Sequence, residues 1–155
     1  MKKVFIDTNV ILDFILLREH VAEAKAVVTW LVENQVQMMM SVGGFYTMHY
    51  LIDKYLRQVM LLDKTSRIAP LRILLSRILQ TFTVAEHDNA SLLRGVDDLQ
   101  FSDLEDSCQY QLAQRSGCEK LITFDSKHYP ETKEGNILQV LTPQQFIESF
   151  IKTKE

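Results

Sequence analysis

Val4-Phe5-Ile6-Asp7-Thr8-Asn9 is a short apolar run that stops at a carboxylate, and Val10-Ile11-Leu12-Asp13-Phe14-Ile15-Leu16-Leu17 continues at once with apolar helical spacing. A strand that passes directly into a helix is the repeating step of an open parallel sheet. In such sheets the chemistry sits just beyond the carboxyl ends of the strands. Asp7 therefore stands at the reactive rim, and the rest of the chain is read for groups that meet it there.

The first β-type run is Lys3–Ile6, and four more follow: Gln37–Met40, Thr81–Ala85, Lys120–Thr123 and Ile137–Leu141. The longer segments between them carry helical spacing, so the fold class is α/β with a five-stranded, mainly parallel sheet covered on both faces. Met38-Met39-Met40 reads as a buried central strand. Val42–Gln80 reads as two helices. Gly43-Gly44 is expected to loosen the start of the first, and Pro70 to open or kink the body of the second. Gly135-Asn136 is a turn signal before the last strand. Thr142-Pro143 is a cap followed by proline at the first helical position, and that helix should run to about Ile151. Residues 1–151 read as one domain, with a frayed tail at 152–155.

The chain has 155 residues, 46% of them hydrophobic and 24% charged, with a net charge of −3. This is ordinary globular composition and no basic nucleic-acid binder. It leaves nucleic acid open as a partner, because a bound divalent ion supplies positive charge locally. Cys108 and Cys118 make neither a disulfide framework nor a zinc cluster. No uncharged apolar run spans a bilayer, and a cytoplasmic, membrane-free location is expected.

A second cluster, Phe101-Ser102-Asp103-Leu104-Glu105-Asp106, opens a helix running to about Ser116. Leu104, Cys108 and Leu112 form one stripe of it, and Asp103 and Asp106 project together from another. Ser102-x-x-Glu105 fits a capping box, which accounts for Glu105 without any chemistry. A third cluster, Leu121-Ile122-Thr123-Phe124-Asp125-Ser126, repeats the opening: an apolar strand and then a carboxylate. Carboxylates gathered at one edge repel unless a cation joins them. Hard oxygen ligands select magnesium or manganese, ions suited to phosphodiester chemistry.

These three motifs, in this order and spacing, resemble the PIN domain (PilT N-terminus-like) nucleases, including VapC-type toxins, and the resemblance covers nearly the whole chain. It implies a three-layer α/β/α sandwich and Mg2+- or Mn2+-dependent cleavage of RNA, single-stranded by preference. It implies Asp7, Asp106 and Asp125 as catalytic metal ligands with Asp103 as an added acid. Asn9, Thr123 and Ser126 are then the polar groups that orient them. Relatives of this type form homodimers, and the toxins bind an antitoxin. The apolar segments Ile11–Leu17 and Met48–Leu62 are the candidates for such contacts.

One position departs from the family. The helix after the second strand usually carries a glutamate; here Thr47 or His49 falls near that place and Asp53 lies too far along. Asp103 is expected to compensate, holding a single ion. The alternative is a catalytically degenerate PIN fold that binds nucleic acid or protein. A haloacid dehalogenase-like phosphatase is disfavoured: it needs an acid where Asn9 stands, and asparagine cannot donate the proton. A receiver domain needs an acidic pair after its first strand and a lysine after its last, and neither is evident in this chain. His49, His87 and His128 have no zinc spacing and read as surface or capping residues. Lys54, Arg57, Lys64, Arg67, Arg72 and Arg77, interleaved with Tyr46, Tyr50 and Tyr55, read as a solvated helix face, with a phosphate-tracking rim as the alternative.

Overall fold

The structure is a computed structural model and describes residues 1–130 and 138–152. Its strands are β1 (Lys3–Ile6), β2 (Gln37–Ser41), β3 (Thr83–Ala85), β4 (Lys120–Ile122) and β5 (Gln139–Leu141). The α-helices are α1 (Thr8–Leu16), α2 (Val21–Glu33), α3 (Val42–Gln58), α4 (Lys64–Thr81), α5 (Asn89–Asp97), α6 (Leu104–Arg115) and α7 (Pro143–Phe146). All strand pairs are parallel, in the order β3-β2-β1-β4-β5. The predicted α/β architecture is borne out. Gly135, Asn136 and Ile137 lie outside the described residues.

Alternation along the strands divides the core in two. Val4, Ile6, Met38, Met40 and Ile122 face α1, α2, α3 and α7, and Phe5, Met39 and Leu121 face Tyr110, Leu112 and Ala113 of α6. Both faces are buried, as a parallel sheet requires. Each fully buried large apolar side chain contributes about 1.5–3 kcal/mol relative to exposure. The methionine run of β2 is buried as expected.

The order of the strands places the site. The chain steps outward from β1 to β2 and β3, then crosses back to lay β4 on the other side of β1. The crevice beyond the carboxyl ends of β1 and β4 is thus the topological switch point, where open α/β sheets bind ligands. Register makes Ile6 and Ile122 partners, and the Asp7 amide extends the ladder by donating to the Ile122 carbonyl at 3.0 Å.

Several local expectations are corrected. Gly43-Gly44 does not loosen α3: the helix begins at Val42, and the Ser41 hydroxyl accepts the Gly44 amide at 2.8 Å. Pro70 lies inside α4, which runs through it. Thr142 and Gln145 form the capping box around Pro143, and the last helix continues past Phe146 as a π-type turn to Ile151. Arg67 is not part of a solvated face; it donates to Asp53 at 2.9 Å and to the Leu62 carbonyl, tying α4 to α3. Among the described residues no helix is long and apolar enough to cross a membrane.

The stripe foreseen on α6 is also rotated. Leu104 is exposed, and the buried face carries Ser107, Gln109, Tyr110, Leu112 and Ala113. The polar residues tolerate burial because each has a partner. Ser107 donates to the Gly95 carbonyl of α5 at 2.7 Å. Here α5 and α6 nearly touch: a Cβ on Gly95 would lie 2.8 Å from Cys108 Sγ and 3.1 Å from its Cα. Backbone cannot yield as a side chain does, so Gly95→Ala is expected to cost roughly 1–3 kcal/mol by overpacking. Urea unfolding would show a lower midpoint at constant m-value.

Candidate active site

Asp7 follows β1 in the N-cap position of α1, yet its side chain makes no capping hydrogen bond. The Asp7 carbonyl opens the helix, accepting from Val10 and Ile11. The carboxylate turns instead into the crevice, where it is only 3% exposed. Gln109 of α6 donates to its Oδ1 at 3.0 Å, and the Thr123 hydroxyl beyond β4 donates to its Oδ2 at 2.7 Å.

Thr123 has no freedom left. Its hydroxyl accepts from Asn9 Nδ2 at 3.3 Å and from the Asp125 amide at 3.0 Å. With both lone pairs used, its single proton must point at Asp7. Asn9 also donates to Asp125 Oδ2 at 3.2 Å and accepts the Phe124 amide. One polar chain thus joins Asp7, Thr123, Asn9 and Asp125 across the β1–β4 seam. Ser126 stands apart: it begins a 3-10 turn, Ser126–His128, its carbonyl accepts the Tyr129 amide, and it does not line the cavity.

The first turn of α6 forms the opposite wall. The expected Ser102–Glu105 capping box is absent: Asp103 is the N-cap and accepts the Asp106 amide at 3.1 Å. Asp is as good a cap as Ser, and position 103 reaches the amide of position 106. This frees Glu105, which accepts from the Thr8 hydroxyl at 3.4 Å. Asp106 is held by the Tyr129 hydroxyl at 3.2 Å, and Tyr129 is fixed by edge-on packing with Phe101.

These groups line one cavity of about 530 Å³. Asp7, Asp103, Glu105, Asp106 and Asp125 face it, together with Arg18 and His128. Arg18 is anchored to buried Asp13 at 3.2 Å. Thr47 and Leu51 are the α3 residues in the wall; His49 is exposed and outside it. His128, read from sequence as a surface or capping residue, belongs to the cavity.

Electrostatics show what the arrangement lacks. Burial pushes the Asp7 carboxyl above its ordinary range, against the hydrogen bonds from Thr123, Gln109 and the Thr8 amide, and Asp125 adds to the push. Burial first, then neighbouring Asp7, raises Glu105. Burial, followed by Asp7 and Asp103, pushes Asp106 up to about 6. Burial, then Asp7 and Asp106, raises the Tyr129 phenol and keeps it a donor. Among the described residues none of the five carboxylates has an ion pair.

An all-oxygen donor set, one member buried where a cation would offset the cost of its charge, fits a hard divalent cation. Among the described residues no three acidic, imidazole or thiol groups already converge on one point. The carboxylates stand around the cavity, as like charges do.

Sequence reasoning missed Gln109, Thr8 and Arg18. Gln109 had a signal: it lies one turn after Asp106 on the face that buries α6, where an amide needs a buried partner. Glu105 was misassigned because only the fold decides whether Ser102 or Asp103 caps the helix.

The PIN domain profile matches residues 3–127, a span that includes Asp7, Asp103, Glu105, Asp106 and Asp125. Ribonuclease VapC1 of Aquifex aeolicus (strain VF5) is 31% identical over 150 residues, covering 95% of this chain and 94% of that protein. The crystal structure of VapBC2 from Rickettsia felis, bound to a DNA fragment from their promoter, superposes with a TM-score of 0.63 over 90% of this chain and 98% of that one, at 13% identity. That structure supports the fold, and the profile and the sequence relative carry the relationship: the chain belongs to the PIN-domain family.

Proposed function

We propose that this protein is a VapC-type endoribonuclease that cleaves single-stranded RNA with the help of Mg2+ or Mn2+. Asp7, Asp106 and Asp125 are its metal ligands, and Asp103 is a further acid at the rim. The observation that carries this reading is Asp7: an N-cap aspartate that makes no capping bond, buried, without an ion pair among the described residues, and fixed by two directed hydrogen bonds from side chains. A capping aspartate in that position would bond the amide of the second or third helical residue. Its relative in Aquifex aeolicus is named a ribonuclease.

Bound by these carboxylates, a divalent ion would supply a lowered pKa for water and an offset to the charge of a phosphodiester. This chain's own residues do the rest. Thr123 and Gln109 fix both Asp7 oxygens, Asn9 steers Asp125, and Tyr129 orients Asp106. Arg18, braced by Asp13, offers a guanidinium to a phosphate entering the cavity. Tyr46, Tyr50, Val59, Met60 and Leu61 remain exposed on α3 and just beyond it. They are the surface proposed for a second copy or an antitoxin.

The test is cleavage of end-labelled single-stranded RNA. Mn2+- or Mg2+-dependent cutting that EDTA abolishes is expected. Binding of RNA without cleavage, across several substrates and both ions, would favour the degenerate binding module instead.

A further inference from the structure

The helix that usually supplies a glutamate offers this cavity only Thr47 and Leu51, and neither is an acid. The place is not left without a carboxylate. Glu105 reaches toward it from α6, on the opposite wall. Its Oε1 accepts from Thr8 Oγ1 at 3.4 Å, and the Thr47 hydroxyl is also within hydrogen-bonding reach of it. Thr8 is the residue next to Asp7, so these contacts hold Glu105 beside the buried ligand.

The bland explanation for a glutamate in a first helical turn is capping. Asp103 already performs it, through the Asp106 amide. Nor does Glu105 serve an ion pair among the described residues. The compensating role first expected of Asp103 suits it less well, because one Asp103 oxygen is committed to the helix backbone.

We propose that Glu105 is the missing acidic ligand, relocated from α3 to α6, so that the cavity keeps its full complement of carboxylates by a different route. This rests on the metal-dependent reading above. The side chains that hold it are Thr8 and Thr47, and its chemical class of ligand is a hard divalent cation.

The experiment is Mn2+ titration by calorimetry, with thermal unfolding with and without Mn2+, on wild type, Asp7→Asn, Glu105→Gln and Glu105→Gln/Thr47→Glu. Glu105→Gln is expected to lose one Mn2+ equivalent or to weaken apparent affinity about tenfold or more. Its metal-free midpoint should stay level or rise, since it removes a like charge. Thr47→Glu in that background should recover binding by restoring an acid from α3. Wild-type Mn2+ binding in Glu105→Gln, beside a clear loss in Asp7→Asn, would overturn the Glu105 assignment while leaving the metal site standing. So would a fall in metal-free stability with an unchanged Mn2+ shift, which is the mark of a structural glutamate. A double variant no better than the single would overturn the shared position. Absence of Mn2+ binding in wild type would overturn the metal reading itself.

Discussion

Asp7→Asn is expected to reduce metal-dependent RNA cleavage by roughly a thousandfold, about 4 kcal/mol at 1.4 kcal/mol per tenfold. The substitution keeps size and shape but removes the charge that a cation needs. Its second consequence runs the other way. Without metal, wild type confines a carboxyl whose charge burial disfavours. The asparagine can still accept from Thr123, whose proton has nowhere else to point, while Gln109 turns its amide to meet the new N–H. Metal-free Asp7→Asn should therefore melt at or above the wild-type temperature. Single-turnover cleavage and thermal unfolding on the same preparation check both halves. An inactive variant that melts far below wild type would make Asp7 a structural residue.

The second large effect is on pH. Asp106, held up to about 6 by burial and by Asp7 and Asp103, titrates well above the ordinary 3.8 of the unfolded chain. Between those values the folded state holds the extra proton, so this group's contribution to metal-free stability is complete below about 4. It is lost as pH rises through about 6. Asp7 and Glu105 shift the same way. Asp63 and Asp88, lowered by the Ser66 and Ser91 amides they cap, act in the opposite sense, losing stability as pH falls through their folded values. Metal binding must displace the Asp106 proton, so Mn2+ affinity should climb roughly tenfold per pH unit up to about 6 and then level off. Mn2+-induced shifts in melting temperature between pH 5 and 8 would show it. A flat profile, or no change of profile in Asp106→Asn, would count against Asp106 as a ligand.

The sequence exposed those parts that local pattern controls. β1 is found at its predicted limits because an apolar run ending in Asp7 has no other reading, and the strand-then-carboxylate repeat at Leu121–Asp125 disclosed the second half of the site. Where two neighbours competed for one task, the pattern was silent. Ser102 and Asp103 are both good caps, and only the fold shows that Asp103 bonds the helix and leaves Glu105 free to line the cavity. Gln109 and Thr8 were hidden for another reason. Their roles depend on a carboxylate 102 residues away in one case and a glutamate 97 residues away in the other. Arg67 looked like a free cation because its partner, Asp53, sits on a different helix.

The β1–β4 seam has a temporal meaning as well. Asp7 lies near the start of the chain, and the hydroxyl that orients it follows 116 residues later. On the ribosome, synthesis at about 5–20 residues per second would separate the two by several seconds. Throughout that interval the emerging polypeptide holds Asp7 without Thr123, Gln109 or Asp125, so the hydrogen bonds that orient it form last. The crevice is thus finished by the end of the chain, when the late strand β4 pairs beside β1.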